Sequence, residues 1–325
     1  MSKWYVDKGE QGDIVLSTRV RLARNLEEFP FPCRLDTASR IKVNEKVRDT
    51  LLSCVPELGL HYVTMDSLSR EQAISLAERH LISPEFASVR EGRALMLTED
   101  ETVGIMLCEE DHIRVQVMKA GLALMDCYVL ADKIDSALDK KLNFAFDESL
   151  GYLTQCPTNL GTAMRASVML HLPALRRSGQ LAVLSSTISK LGLTLRGAYG
   201  EGRESRGDIY QLSNQITLGI TEQAAIENLQ SITRQLVTQG HFTVGGRKVN
   251  IPSYQVKPGM VISLTEKGKS MQKIKENIED NAFRAAPKWI EYDKNNLTAK
   301  IVAVPAREDI DMPIEERLIV ELYSK

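Results

Sequence analysis

The chain has 325 residues, 43% hydrophobic and 26% charged, which is the composition of a globular protein with room for two or three cores. It contains no run of roughly 18 apolar residues that would predict a membrane span, and residues 1–13 lack the apolar centre of a signal peptide. The five cysteines are scattered without a CxxC pair, and the five histidines have no metal-ligand spacing. These features exclude a disulfide scaffold and predict a cytoplasmic protein with no metal site of its own.

The charges are distributed unevenly, although the net charge is only −2. Residues 234–325 carry 15 Lys and Arg against 12 Asp and Glu, whereas the preceding residues carry 26 against 31. Residues 234–275 contain eight basic residues and one acidic residue. This stretch favours an anionic partner, and a solvated basic surface explains it equally well.

Helical and strand patterns alternate along the first two thirds of the chain. Helices are predicted from Asp36 (through Ile41, Val47, Leu51 and Val55), after a capping box at Ser69–Gln72, at Leu122–Leu142 and at Thr221–Gln239. Strands are predicted at Ala94–Thr98, Thr102–Cys108, Ile113–Val117, Arg165–Leu172, Leu193–Gly197 and Asp208–Leu212. Short strands joined by turns, with helices in separate blocks, predict a largely antiparallel α+β fold.

The character of the sequence changes after Gly240. Phe242–Val249 is typical of a hairpin with Gly245-Gly246 as its turn. Prolines then separate short strands from a helix predicted near Ser270–Asn281. We therefore predict a boundary near residues 233–240, with one domain over residues 1–233 and a small mixed α/β domain over residues 234–325.

The usual phosphate-binding motifs are missing. Gly268-Lys269-Ser270 resembles the end of a P-loop, but Ser263 occupies the position of its first glycine. Gly200-Glu201-Gly202 is too short for a dinucleotide motif. If the protein binds ATP, arginine side chains must neutralise the phosphates, a role that suits the planar and permanently charged guanidinium.

Four ordered blocks carry such arginines: Ser17–Asn25 (STRVRLARN), Cys108–Arg114 (CEEDHIR), Gly151–Arg165 (GYLTQCPTNLGTAMR) and Arg196–Glu201 (RGAYGE). Together they resemble the signature blocks of the phosphagen (guanidino) kinases, most closely the bacterial protein-arginine kinases. The resemblance extends from about residue 12 to about residue 232. It implies the guanidino-kinase catalytic fold, an antiparallel sheet flanked by helices, and ATP-dependent phosphorylation of arginine side chains.

The resemblance also implies roles for individual residues. Glu110 matches the carboxylate that holds the guanidinium and acts as base, Glu201 its partner on a mobile loop, and Cys156 the reactive cysteine beside the substrate. With Arg165, these form the predicted catalytic set. The predicted ATP-binding residues are Ser17, Thr18, Arg19, Val20, Arg21, His80, Arg114, Arg165, Ala166, Ser167, Val168, Met169, Arg196, Gly197, Ala198, Tyr199, Gly200 and Glu201.

The chemistry of these residue types agrees with that assignment. Phosphoryl transfer through a loose transition state needs positioning and charge neutralisation, which five arginines and a nucleotide-bound Mg²⁺ can supply. Two carboxylates can orient a planar guanidinium and accept its proton. Singly, Glu109-Glu110-Asp111 is typical of a solvated turn and Cys156 of a small buried residue. His112, His171, Cys33, Cys54, Cys108 and Cys127 are predicted to be structural.

The position of the first arginine pair bears on the substrate. Small-molecule members of the family carry a helical domain ahead of this pair, which helps to enclose the substrate. Arg19 and Arg21 leave no room for it here, so we expect an open site that admits an arginine displayed on a protein.

The last third resembles a different family. Arg234–Tyr254 is similar to part of the RNA-binding fold of a primary rRNA-binding protein of the small ribosomal subunit, and the similarity continues through Pro287–Glu291 and Leu318–Tyr323. It begins within the motif, so the preceding helix is missing and the closing kinase helix would replace part of it. The candidate RNA contacts are Arg234, His241, Arg247 and Lys248.

Two classes of function follow. In the first, the chain is a kinase whose C-terminal segment is a docking module; in the second, it is a ribosome-associated RNA-binding protein with a kinase-like passenger. The complete set of catalytic residues favours the first, and a gene fusion would also explain the junction. Family members act with a zinc-finger adaptor and a Clp-type protease in protein quality control and the stress response, so these are expected partners. The helical dimerisation region of the protein-arginine kinases, which senses phosphoarginine, has no counterpart after residue 240.

Overall fold

The computed structural model describes residues 3–177, 179, 181–197, 206–237, 242–249, 256–270, 274, 278 and 286–306. The chain divides into two compact units, Met1–Leu236 and Val237–Lys325. None of the helices in these described ranges is long and apolar enough to cross a membrane.

Unit 1 is built on one antiparallel sheet of eight strands. In chain order its elements are β1 (Val15–Arg24), α1 (Thr37–Cys54), β2 (His61–Thr64), α2 (Arg70–Glu78), α3 (Pro84–Ser88), β3 (Ala94–Leu97), β4 (Val103–Leu107), β5 (Ile113–Ala120), α4 (Leu124–Asp139), β6 (Phe146–Asp147), β7 (Gly151–Tyr152), β8 (Met164–His171), α5 (Pro173–Arg177), α6 (Leu181–Lys190), β9 (Leu193–Gly197), β10 (Ile209–Asn214) and α7 (Glu222–Val237). The strand order is β2-β3-β4-β5-β1-β8-β10-β9, and every neighbouring pair is antiparallel. The predicted α+β class is confirmed.

The local signals explain where the first helices begin. The Asp36 side chain accepts a hydrogen bond from the Ser39 amide at the start of α1, and Ser69 and Gln72 form both halves of a capping box on α2. The predicted apolar side of α1 was wrong at Ile41, which is 45% exposed. Because Ile41 precedes Val47 by six residues, it lies roughly 240° around the helix, and Val43 faces the core instead.

The two faces of the large sheet have different surroundings. Thr18, Val20 and Leu22, three even-numbered residues of β1, are fully buried, and β1 packs against α4 on this side. Thr18 Oγ1 donates to the Gly121 carbonyl at 2.5 Å and accepts from the Ala123 amide at 3.1 Å, which ties the strand to the start of α4. Odd-numbered residues of β1 therefore project from the opposite face, because strand side chains alternate.

Unit 2 contains a five-stranded antiparallel sheet of order β12-β11-β13-β15-β14. Its elements are β11 (Phe242–Val244), β12 (Arg247–Val249), β13 (Val261–Leu264), α8 (Glu266–Ser270), β14 (Ile290–Asp293) and β15 (Thr298–Ile301). The predicted hairpin is confirmed, and Gly245 and Gly246 have φ of 57° and 80°, as a two-residue turn of this type requires. α8 ends at Ser270, and most of the helix predicted near Ser270–Asn281 lies outside the described residues.

Candidate active site

The strand register brings the predicted arginines together. Arg21 on β1 pairs with Arg165 on β8 and with Gln116 on β5. Arg114 lies two residues before Gln116 and pairs with Ala23, two residues after Arg21. Paired residues of antiparallel strands share a face, so these three arginines project from the side opposite α4.

Arg19 and Arg196 lie on the same face. Arg19 is two residues before Arg21, and alternation places both on one side. Arg196 on β9 pairs with Gln211 on β10, which in turn pairs with Met169 on β8. Because Met169 and Arg165 are four residues apart in one strand, Arg196 joins the set. We call Arg19, Arg21, Arg114, Arg165 and Arg196 the arginine face.

Most of the arginine face lacks negative partners. Within the described ranges, Arg19, Arg21, Arg165 and Arg196 form no ion pair with a carboxylate. Burial, followed by the positive charges of Arg114 and neighbouring arginines, lowers the pKa of Arg19 to about 10 and that of Arg21 to about 9. This field disfavours added positive charge, so the face is suited to a polyanion such as a polyphosphate.

Arg114 differs from the others because two carboxylates hold it. Its guanidinium forms ion pairs with Glu109, through Nη1, and with Glu110 Oε2, through Nη2 at 3.0 Å. Glu109 and Arg114 are almost fully buried, and Ser83 Oγ at the start of α3 donates to Glu109 Oε1 at 2.5 Å. Glu110 is one third exposed, so it is the carboxylate of this group that a substrate can reach.

A buried hydrogen-bond cluster brings Glu110 and Cys156 close to each other. Asp111, which follows Glu110, is fully buried, and its Oδ1 accepts from the Gln155 amide at 2.9 Å. Asn25 Nδ2 donates to the same oxygen at 2.7 Å and to the Leu153 carbonyl at 3.0 Å. Hence the loop carrying Glu110 and the loop carrying Cys156 are joined at the residues next to them.

Cys156 and Glu110 both lie within electrostatic range of Arg165. Burial and the positive charge of Arg196 lower the pKa of Arg165, whereas Cys156 and Glu110 raise it. Cys156 is partly exposed, and its Sγ lies 3.0 Å from Thr158 Oγ1. The predicted base, thiol and central arginine thus share one site.

A cleft of ≈ 700 Å³ extends from the arginine face to α2 and α3. Its wall combines Arg19, Arg21 and Arg114 with His80 and the apolar residues Ile74, Ala77, Ile82, Ala87 and Met106. His80 has φ of 59°, and its carbonyl accepts a hydrogen bond from Gln116 Nε2 at 2.9 Å. Burial and the charge of Arg19 lower the pKa of His80, which favours the neutral ring. Such a cleft can hold a flat, partly apolar ring next to its phosphates.

Other predicted site residues are placed less directly. The side chains of Thr18, Val20, Ala166 and Val168 are buried on the helical side of the sheet, so only their backbones face the site. Ser17, Ser167 and Met169 lie in β1 and β8, Gly197 ends β9, and Ala198, Tyr199, Gly200 and Glu201 lie outside the described residues.

The structure also describes several of the residues predicted to be structural or to contact RNA. His112 is buried and joins the Leu26 amide and the Pro30 carbonyl, each at 3.0 Å. Burial raises the pKa values of Cys108 and Cys127 to about 12.

Arg234 is exposed in the last turn of α7, and Arg247 is exposed at the start of β12. Lys248 is described only as a backbone position of β12, and His241 lies outside the described residues.

Comparisons with known proteins agree with this geometry. The family profile described as the ATP:guanido phosphotransferase C-terminal catalytic domain matches residues 42–241, and an S4 domain profile matches residues 231–262. The chain is 47% identical over 239 residues to a protein-arginine kinase of Halothermothrix orenii, covering 74% of this chain and 68% of the relative. It is 45% identical over 240 residues to that of Brevibacillus brevis, with coverages of 73% and 67%.

Solved structures share the fold of unit 1. The duplicated taurocyamine kinase from Schistosoma mansoni with transition state analog components superposes with a TM-score of 0.63 at 33% identity, over 70% of this chain and 33% of that one. Lombricine kinase gives a TM-score of 0.61 at 24% identity, over 70% of this chain and 66% of that one. The predicted guanidino-kinase fold is confirmed.

Proposed function

Because the chain belongs to the ATP:guanido phosphotransferase family, we propose that it is a protein-arginine kinase, which transfers the γ-phosphoryl group of ATP to arginine side chains of proteins. The substrate is a protein, as the names of its relatives indicate for them. The domain that carries this activity is residues 1–233.

The proposed reaction uses the arginine face and Glu110 in separate roles. Arg19, Arg21, Arg114, Arg165 and Arg196 bind the polyphosphate and neutralise the charge that develops on the migrating phosphoryl group. Glu110 orients the substrate guanidinium and accepts one of its protons. A guanidinium nitrogen forms a bond to the γ-phosphorus while the bond to the bridging oxygen breaks, and ADP leaves.

Mg²⁺ enters the proposal through the nucleotide. The described residues contain no group of three or more histidine, cysteine or acidic side chains arranged for a metal ion. The five arginines fit a metal–nucleotide complex, since they supply donors for phosphate oxygens and leave the ion to the phosphates themselves. The ion would neutralise charge on the β- and γ-phosphates.

The observation that carries the proposal is the shared face of the sheet. Five arginines from four different strands project from it, and four of them have no carboxylate partner among the described residues. Such a concentration of buried positive charge destabilises the folded protein unless an anion is bound. Glu110 and Cys156 lie at its edge, where an acceptor would meet the phosphate.

The test is the identity of the product. The purified chain is incubated with ATP, Mg²⁺ and an unfolded protein, in parallel with free arginine and with creatine. We expect acid-labile phosphoarginine in the protein by mass spectrometry, and none with the Glu110→Gln variant. Phosphorylation of free arginine or creatine without any protein product would refute the assignment of the substrate.

The S4 profile favours a second function for residues 234–325. We propose that this segment binds RNA, with Arg247 and Lys248 beside the Gly245-Gly246 turn as contacts, together with His241 and Arg234. A filter-binding assay with rRNA at several salt concentrations tests this, because phosphate contacts produce a steep salt dependence. Binding that is weak and independent of salt would argue against it.

Two further proposals rest on the resemblance of the catalytic blocks. A zinc-finger adaptor and a Clp-type protease are the proposed partners, and co-purification with either checks them. The cytoplasm is the proposed compartment, because all five thiols are free.

A further inference from the structure

A second concave region lies away from the arginine face. It has a volume of ≈ 620 Å³ and is bounded by α4, the β6–β7 hairpin and the loop leading into α7. Among the described residues that line it there is no lysine or arginine, but there are five acidic residues: Asp132, Asp135, Asp139, Glu148 and Glu222. We call this region the acidic cleft. None of its carboxylates takes part in the proposed phosphoryl transfer.

Two carboxylates of the acidic cleft already bind one guanidinium, which does not itself line the cleft. Arg24 is fully buried, pairs with Asp135 Oδ2 at 2.7 Å and with Glu222 Oε1 at 3.3 Å, and stacks on the ring of Tyr152 at 3.5 Å. A carboxylate beside an aromatic face is a favourable environment for a planar cation. The cleft therefore shows, in its own wall, the chemistry that binds arginine.

One carboxylate of the cleft is incompletely satisfied. Asp135 is only 7% exposed, yet its Oδ1 has no hydrogen-bond partner among the described residues. A buried carboxylate oxygen without a donor is unfavourable, and Asp135 is one of the residues that line the cleft. Beyond Asp135, the exposed carboxylates of Asp132, Asp139 and Glu148 add negative charge at the rim.

The shape and chemistry select the ligand class. The acidic side chains do not form a metal-binding group in the described part of the chain, and the exposed ring of Phe146 packs edge-on against Tyr152 at 5.2 Å. Carboxylates together with an aromatic wall fit a guanidinium better than a compact ammonium, which has no planar face.

We propose that the acidic cleft binds arginine side chains of the protein substrate, as a docking site separate from the catalytic site. This inference rests on the proposed function. Tyr152 in the cleft wall is four residues from Cys156, so their Cα atoms are separated by at most roughly 14 Å. A polypeptide bound in the cleft is thus held near the site of transfer. Phosphorylation makes arginine anionic, so modified segments leave the cleft.

Binding without turnover tests the proposal. The probe is a fluorescein-labelled short peptide with several arginines, titrated with the Glu110→Gln chain and followed by anisotropy. The rim variant combines Asp132→Asn, Asp139→Asn and Glu148→Gln, all exposed positions. We expect it to bind about tenfold more weakly, since three surface charge contacts are lost, and we expect a lysine peptide to bind more weakly than the arginine peptide.

A matched variant controls for net charge. Glu45→Gln, Asp49→Asn and Asp66→Asn remove the same number of exposed carboxylates from α1 and the segment before α2, and this variant should bind like the parent. In the active chain, the rim changes should raise KM for an arginine-rich protein and leave KM for ATP unchanged. Equal binding by the rim and control variants would overturn the docking site. Absence of phosphoarginine on every substrate would instead refute the proposed function, and the binding titration would still report on the cleft.

Discussion

Replacing Arg21 with methionine should make the nucleotide-free protein more stable and the enzyme much less active. Arg21 lies at the centre of the arginine face, paired with Arg165 and two residues from Arg19. Methionine keeps the length and apolar stem of the side chain but removes a half-buried charge whose neighbours are positive, apart from the weaker effect of Glu109. The charge of Arg21 favours binding of the anion but destabilises the nucleotide-free protein.

The size of the effect follows from the pKa of Arg21. Burial and the positive charges of the neighbouring arginines lower it well below its usual value, to about 9, and a change of one in a pKa corresponds to about 1.4 kcal/mol. This difference sets a ceiling of about 5 kcal/mol, and solvent screening of the half-buried side chain reduces the effect to about 1–2 kcal/mol. Because the pKa of Arg21 is depressed in the folded state, the cost is complete below about pH 9 and declines at higher pH. The gain should therefore be constant between about pH 6 and pH 8.

Urea unfolding with and without MgATP measures the prediction, together with steady-state kinetics. We expect Arg21→Met to raise the free energy of unfolding without nucleotide, to lose most of the stabilisation that MgATP gives, and to lower kcat/KM about 10²- to 10³-fold. Arg24→Met is the control, three residues away on the other face. It should destabilise by about 3–5 kcal/mol, because it leaves Asp135 and Glu222 unpaired. A destabilised Arg21→Met with unchanged kcat/KM would refute the reasoning.

Further predictions concern the rest of the site. Glu110→Gln should lower kcat about 10²- to 10⁴-fold without changing the melting temperature, because it removes the proton acceptor; an unchanged kcat would exclude that role. His80→Ala should raise KM for ATP more than it lowers kcat, since the ring lines the cleft and not the acceptor site; isothermal titration with ATP checks this. Asn25→Ala should cost about 1–3 kcal/mol of stability and also lower kcat, because the hydrogen bonds by which Asn25 joins Asp111 to Leu153 are lost; urea unfolding measures the first effect and steady-state kinetics the second.

The regular elements could be predicted because their signals are local. The capping residue Asp36, the Ser69 box and the Gly245-Gly246 turn each act within a few residues, and each lies where the pattern placed it. The prediction for Ile41 failed because the apolar residues of α1 are compatible with more than one buried helix face. Only packing against the sheet decides which face is buried.

The arrangement of the site depends on contacts that are distant in sequence. Four residue blocks identified the arginines, but the pairing of Arg21 with Arg165 is set by strand order, which no local pattern encodes. Arg21 and Arg24 are only three residues apart and look alike in the sequence. Because strand side chains alternate, Arg21 lies on the arginine face and Arg24 on the other face, where it binds Asp135. Asn25 and Asp111 were missed as positioning residues because these two hydrogen-bond partners are 86 residues apart.

The central claim is that one face of the sheet holds the polyphosphate while its γ-phosphoryl group passes to a protein guanidinium. Phosphorus NMR of a mixture of the chain, MgATP and an unfolded protein follows this transfer directly. We predict a resonance from protein-bound phosphorus that is bonded to nitrogen, and this resonance grows as ATP is consumed. It should grow at least tenfold more slowly with Arg21→Met. Phosphate esters in place of that resonance, or equal rates for the two proteins, would contradict the claim.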